Sequence, residues 1–124
     1  MCTFCNDEIE TLVHLFIECN KVANIWQEVI ENLLQPFGVS SLTKDQIVLG
    51  VETTAEQNEI INHIILEVKH HIYVCKLYKC TPTFQQIKSH LRITEDIEKQ
   101  IAIKAGKIPK HIYKWNHLIN YLLT

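Results

Sequence analysis

An all-α fold of four to six helices is what this sequence predicts, and three observations predict it. Apolar residues recur every three to four positions through most of the chain, and Thr-led capping boxes open several of those runs. The 3 Gly and 3 Pro among 124 residues leave too few turns for a many-stranded sandwich. Ile and Val are plentiful, but they stand at helical spacing rather than in strict alternation, so their β propensity is overridden.

The elements follow in order. From Thr11 to Leu34 the apolar residues Leu12, Leu15, Phe16, Val22, Ile25, Trp26, Val29, Ile30 and Leu33 read as two amphipathic helices with a break near Cys19. Pro36-Phe37-Gly38 stops the second, because Pro lacks the next backbone donor and Gly tolerates positive φ. Thr43 and Gln46 fit a capping box for a short helix ending at Leu49 and closed by Gly50, and Thr54 with Gln57 form a second box. That box opens the segment expected to be longest, to about Lys79, with Ile60, Ile61, Ile64, Ile65, Val68, Ile72 and Cys75 on one stripe. Unbroken, it would be on the order of 38 Å long. Pro82 ends it. Thr83 opens the next helix, carrying Phe84, Ile87, Leu91, Ile97, Ile101 and Ala105 before Gly106, and a final helix from about Pro109 carries Ile112, Trp115, Leu118, Ile119 and Leu122.

A chain of 124 residues holds one domain of ordinary size. Within it the sequence separates residues 1–34, a metal-binding module with its following helix, from residues 35–124, a helical region with a basic second half. The apolar content of 47% excludes a disordered chain, and no apolar stretch is long enough to span a membrane. No signal-peptide pattern opens the chain, so a soluble, intracellular protein is expected. Five Cys, an odd number, argue against a disulfide framework and for thiols that are buried, free or metal-bound.

The net charge of -2 hides an asymmetry: residues 1–60 carry two Lys against ten acids, and residues 61–124 carry ten Lys or Arg against four. A polyanion would approach the basic second half first.

The sharpest chemical signal is Cys2-x2-Cys5, then His14, then Cys19. Two Cys flanking two residues can aim both sulfurs at one ion from a tight turn, and a His and a Cys complete a tetrahedron. Five residues along an ideal helix rotate by about 500°, leaving His14 and Cys19 some 140° apart. Cys19 must therefore sit at or past a helix end. Three thiolates with one imidazole favour zinc, one per chain, and four protein ligands leave no open position for catalysis, so the site is structural.

These residues, with Glu10-Thr11, Leu15-Phe16 and Trp26, resemble the zinc-binding segment at the C-terminal end of non-LTR, LINE-like retrotransposon reverse transcriptases, closely over the first 34 residues. The stretch from Lys69 to Lys76 and the later Lys114-Trp115 look, less specifically, like the tail of such polyproteins. The resemblance implies that Cys2, Cys5, His14 and Cys19 are zinc ligands and that Trp26 packs the following helix against the finger. It further implies a fragment or degenerate copy of the polyprotein, with the rest of it as a partner and a nuclear or cytoplasmic ribonucleoprotein location. The sequence lacks the helical lead-in that usually precedes the first Cys.

No adjacent Asp pair for polymerase metals, no glycine-rich phosphate loop and no nucleophile elbow occur, so the chain is expected to be noncatalytic, with no small-molecule substrate. His71, Cys75 and Cys80 allow a second metal site to be imagined, but Cys75 continues the apolar stripe and core packing explains it. His63, His90, His111 and His117 read as surface or helix-end residues. Lys69, Tyr73, Lys76 and Lys79 are spaced as one helix face, able to neutralise phosphates and stack a base, and Lys107, Lys110 and Lys114 with Trp115 repeat that chemistry. The alternative for both stripes is a solvated face whose lysine stems cover apolar surface. Two functions are thus expected: a noncatalytic module that helps a LINE-like reverse transcriptase hold RNA or DNA, or a helical protein-interaction module with a structural zinc.

Overall fold

The computed structural model describes residues 1–51 and 58–123, and among these every regular element is a helix. A five-residue π turn, His14–Glu18, leads into α1, Asn20–Val29, which continues through a second π turn, Ile30–Leu34, and a 3-10 turn, Gln35–Phe37. Then come α2 (Lys44–Leu49), α3 (Asn58–Tyr78), α4 (Phe84–Ala105), α5 (Ile108–Trp115) and α6 (Ile119–Leu123). No described helix is long and apolar enough to cross a membrane.

Local signals account for most element ends. Cys19 adopts ψ 133°, breaking the helical path between the π turn and α1. Gln46 N–H donates to Thr43 Oγ1 at 3.1 Å while Thr43 N–H donates to Gln46 Oε1 at 2.9 Å, the reciprocal box that opens α2. The box at Thr54 and Gln57 lies outside the described residues. Over those described, α4 with 22 residues is one longer than α3 with 21. Gly50 closes α2 at φ 91°, and a Cβ there would stand 2.9 Å from Asn62 Oδ1. Asn62 needs that approach, since its side chain accepts from Val51 N–H at 2.7 Å and donates to Val51 O at 3.2 Å.

A connected core runs from Cys2 to Leu122. The α3 stripe from Ile60 to Cys75 is buried throughout, together with His71. Around α3 pack the first π turn, α4 and α5, and α4 also touches α1 and α6. Each fully buried aliphatic side chain in this core contributes about 1.5–3 kcal/mol of transfer free energy.

Two apolar stripes differ from the sequence expectation. In α4, Phe84, Ile87 and Leu91 are buried, but Ile97 and Ile101 are exposed, the latter 61%. The inward line instead continues through Glu95, Glu98 and Ala102, at the same three-and-four spacing, because polar partners on α5 receive the two carboxylates. In the last region the expected single helix is split between Trp115 and Ile119, and His111 takes the inward position while Ile112 faces out. Leu12 is likewise exposed, with Leu15 carrying the burial of the first turn.

Candidate metal centre

The N-terminal loop is closed on itself before any helix begins. Cys2 N–H donates to Glu8 O at 2.7 Å and Asn6 N–H to Cys2 O at 3.0 Å, with Asn6 in the left-handed region at φ 59°. Asn tolerates that conformation, and the resulting tight turn brings Cys2 and Cys5 to one side. His14 is placed by Thr11, whose Oγ1 accepts from His14 N–H at 3.0 Å and whose carbonyl accepts from Leu15 N–H at 2.9 Å.

The π turn solves the angular problem posed by the His14–Cys19 spacing. Cys19 N–H donates to the His14 carbonyl at 2.7 Å, five residues back, so the wider turn sets the two side chains on one side where an α-helix would separate them. Cys19 then opens α1, its carbonyl accepting from Val22 and Ala23 N–H at 2.9 and 2.8 Å. A thiolate at this position faces the positive end of the helix dipole.

The four side chains converge. Cys2 Sγ lies 3.8 Å from Cys19 Sγ, Cys5 Sγ lies 3.4 Å from His14 Nε2, and all four ligand atoms fall within 4.8 Å of one another. Cys2 and Cys19 are fully buried. The group can hold a metal ion. Its electrostatics are uneven: the Asp7 backbone amide, then the His14 side chain, lower the Cys5 thiol to about 6, whereas burial raises Cys19 to about 11. A bound cation would compensate that desolvation and displace the Cys19 proton.

Three contacts moor this cluster to the helices. Trp26 Nε1–H donates to Phe16 O at 2.7 Å, fixing α1 against the π turn. Lys44 on α2 reaches Glu18 at 2.9 Å. Lys76 on α3 reaches Glu10 Oε2 at 2.6 Å, while Glu10 Oε1 accepts from Thr3 N–H and Oγ1–H at 2.9 and 2.7 Å.

The residues singled out for nucleic acid fare differently. Trp115 is 0% exposed and its Nε1–H donates to Glu98 Oε2 at 2.8 Å, so its ring is core and offers no stacking face. Lys114 is also removed from that role, since its ammonium sits 3.2 Å from both Glu98 oxygens and 3.3 Å from His63 Nδ1. Lys76 is committed to Glu10, and Lys69 donates to Val48 O at 3.1 Å. Tyr73, Lys79, Lys107 and Lys110 are exposed. So are Lys99 and Lys104, which sequence reasoning passed over although residues 99–124 contain five Lys and no acid.

His111 corrects the reading of the histidines as surface groups. It is 8% exposed and its Nε2 lies 2.9 Å from Glu95 Oε1. His63 is half-buried against the Trp115 ring, and burial pushes its pKa down. The available signal was the pairing of Glu95 and Glu98 with His111 and Lys114, two residue pairs of equal spacing on adjacent helices.

Comparison with known proteins finds no matching family model, curated protein or solved structure.

Proposed function

We propose that the chain is a noncatalytic, zinc-stabilised helical module of the kind found at the C-terminal end of LINE-like reverse transcriptases, and that it helps hold RNA or DNA. One observation carries the zinc assignment. A tetrahedral zinc with bonds of about 2.3 Å to sulfur and about 2.0–2.1 Å to nitrogen has S···S edges of about 3.8 Å and S···N edges of about 3.6 Å. The Cys2–Cys19 separation of 3.8 Å and the Cys5–His14 separation of 3.4 Å match those edges. With all four positions filled by protein, the ion binds no water and its role is structural. The sequence resemblance supplies the reverse-transcriptase context, and with it a nuclear or cytoplasmic ribonucleoprotein.

The nucleic-acid surface in this reading is the corner where α4 meets α5. Lys104, Lys107 and Lys110 are exposed there, with Tyr113 alongside. The finger is unsuited to the task, because exposed Asp7 and Glu8 and the excess thiolate charge repel phosphates. Metal analysis of the purified chain should return about one structural zinc that needs a chelator to remove, with loss of helical circular dichroism on removal. Replacing Lys104, Lys107 and Lys110 by Ala should reduce the salt slope of single-stranded RNA binding by up to about three units, one per lost phosphate contact. Binding that is absent or insensitive to salt refutes the nucleic-acid role.

A second reading rests on the exposed Ile93, Ile97, Ile101, Ile103, Ile108 and Ile112, which give α4 and α5 an apolar outer surface. It makes the chain a protein-interaction module with the same structural zinc. Its partner would bind with affinity nearly independent of salt.

A further inference from the structure

The hairpin in which α4 turns into α5 forms a convex tip. Residues 103–110 are exposed without interruption. Gly106 stands at the apex in the left-handed region at φ 69°, where a Cβ would meet nothing within 4 Å. The backbone of this tip is nonetheless fixed. Lys107 N–H donates to Ala102 O at 2.9 Å and Gly106 N–H to Ile103 O at 3.3 Å, the paired bonds of a Schellman turn, and His111 N–H donates to Lys107 O at 3.2 Å. Behind the apex, Glu95 holds His111 and Glu98 holds Trp115. The outward side chains are therefore displayed on a rigid support.

What the tip displays is both apolar and basic. Ile101, Ile103, Ile108 and Ile112 are each between 44% and 61% exposed. Among them stand Lys104, Lys107 and Lys110, and residues 99–124 contain no acid. Of the acids around the hairpin, Glu95 and Glu98 are taken up by His111, Lys114 and Trp115, which leaves Glu59 and Asp96 at its flanks. Phosphates of a nucleic acid satisfy the lysines but offer the isoleucines no apolar partner. A single helix of a partner protein would need its apolar contacts along one side. Ile101 and Ile103 instead stand about 200° apart on α4 and line two different hollows, Ile103 with Ile108 and Ile112, Ile101 with Pro109 and Tyr113.

We propose that the α4–α5 hairpin is a docking tip for an anionic phospholipid surface. A bilayer surface receives a convex end and meets both kinds of side chain. Lys104, Lys107 and Lys110 pair with the negative headgroups, and the isoleucines reach roughly 5–10 Å in, to the boundary with the acyl chains. The lysine stems lie along that apolar layer while their ammonium groups stay among the phosphates. This role goes beyond the nucleic-acid role proposed above. It draws on the same three lysines, so lipid and RNA exclude one another at this corner.

The test is co-sedimentation of the full chain with vesicles of phosphatidylcholine alone and of phosphatidylcholine containing about one-third phosphatidylserine. The parent should bind the mixed vesicles, bind the neutral ones far more weakly, and lose binding as salt rises. Ile103→Ser with Ile108→Ser should weaken vesicle binding on the order of tenfold. Circular dichroism and RNA binding should stay as in the parent, because both side chains are exposed and carry no charge. Replacing Lys104, Lys107 and Lys110 by Ala should weaken vesicle binding on the order of a hundredfold, about fivefold per lysine. In a separate variant, Ile108→Trp, the emission of the new indole should shift to shorter wavelength on mixed vesicles. No vesicle binding by the parent at low salt overturns the proposal and assigns these isoleucines to a protein interface. Equal binding to neutral and mixed vesicles overturns it as well, as does an isoleucine variant that binds like the parent.

Discussion

Lys76 Nζ and Glu10 Oε2 lie 2.6 Å apart, joining α3 to the loop that carries the first two cysteines across 66 residues of sequence. Both side chains are about a quarter to a third exposed, and the second Glu10 oxygen is taken up by Thr3. The lysine that looks in sequence like one member of a phosphate-binding stripe is thus a mooring for the loop of Cys2 and Cys5. Replacing it should affect the stability of the N-terminal region before it affects any binding of nucleic acid.

The pH dependence of that mooring follows from its sign. Lys76, first, and then Thr3 hold the Glu10 carboxyl down at about 2, against an ordinary 4.5. A carboxyl with a lowered folded pKa stabilises the fold fully above 4.5, and that contribution is lost as pH falls toward 2. Lys76→Met should therefore lower the denaturation midpoint at neutral pH, with the gap to the parent closing through this acid window. A gap of constant size in a urea titration at each pH would show that Glu10 draws no stability from Lys76.

Glu98 accepts from both Lys114 and the Trp115 indole, and removing it leaves the indole N–H without its acceptor and Lys114 with His63 and the more distant Glu59 alone. Glu98→Ala should cost on the order of 2–4 kcal/mol and Glu98→Gln distinctly less, since the amide oxygen can still accept from the indole. Trp115→Ala should cost about 3–5 kcal/mol, as for other fully buried aromatics. Urea denaturation checks all three, and a Trp115→Ala protein as stable as the parent would contradict the buried placement.

Trp26 couples the first turn of structure to α1 through its bond to Phe16 O. Trp26→Phe keeps most of the apolar volume and loses the donor, so a cost of about 1–2 kcal/mol is expected. The Phe16 carbonyl belongs to the π turn between His14 and Cys19, and a metal ion held by the four-residue cluster should therefore be surrendered to a competing chelator at lower concentration in this variant. Unchanged chelator competition would show that the π turn holds its shape without the indole.

Gly50→Ala places a methyl group 2.9 Å from Asn62 Oδ1 at a backbone φ of 91°. The expected cost is about 1–3 kcal/mol, from the strained φ and from displacement of Asn62. Combining it with Asn62→Ala should cost less than the sum of the two single changes, because the steric conflict disappears with the amide. Strict additivity in denaturation would place the whole cost in the backbone.

The sequence by itself determined the helical class, most helix ends and the four-residue cluster that can hold a metal ion. Those properties are local: a capping box at Thr43, a left-handed Gly106, or a Cys-x2-Cys turn is decided by residues within a few positions of one another. The break at Cys19 was legible for the same reason, since helical geometry alone forbids His14 and Cys19 from sharing an ion in mid-helix. Only the tertiary structure decided which face of α4 turns inward. The apolar pattern pointed to Ile97 and Ile101, yet the half-buried Glu95 and Glu98 take the inward-facing line because His111, Lys114 and Trp115 arrive from α5 to meet them. The fates of Lys76 and Trp115 were hidden in the same way. A charge 66 residues away, or a carboxylate on a neighbouring helix, leaves no trace in local periodicity, because burial of a polar group depends on a partner that chain folding alone supplies.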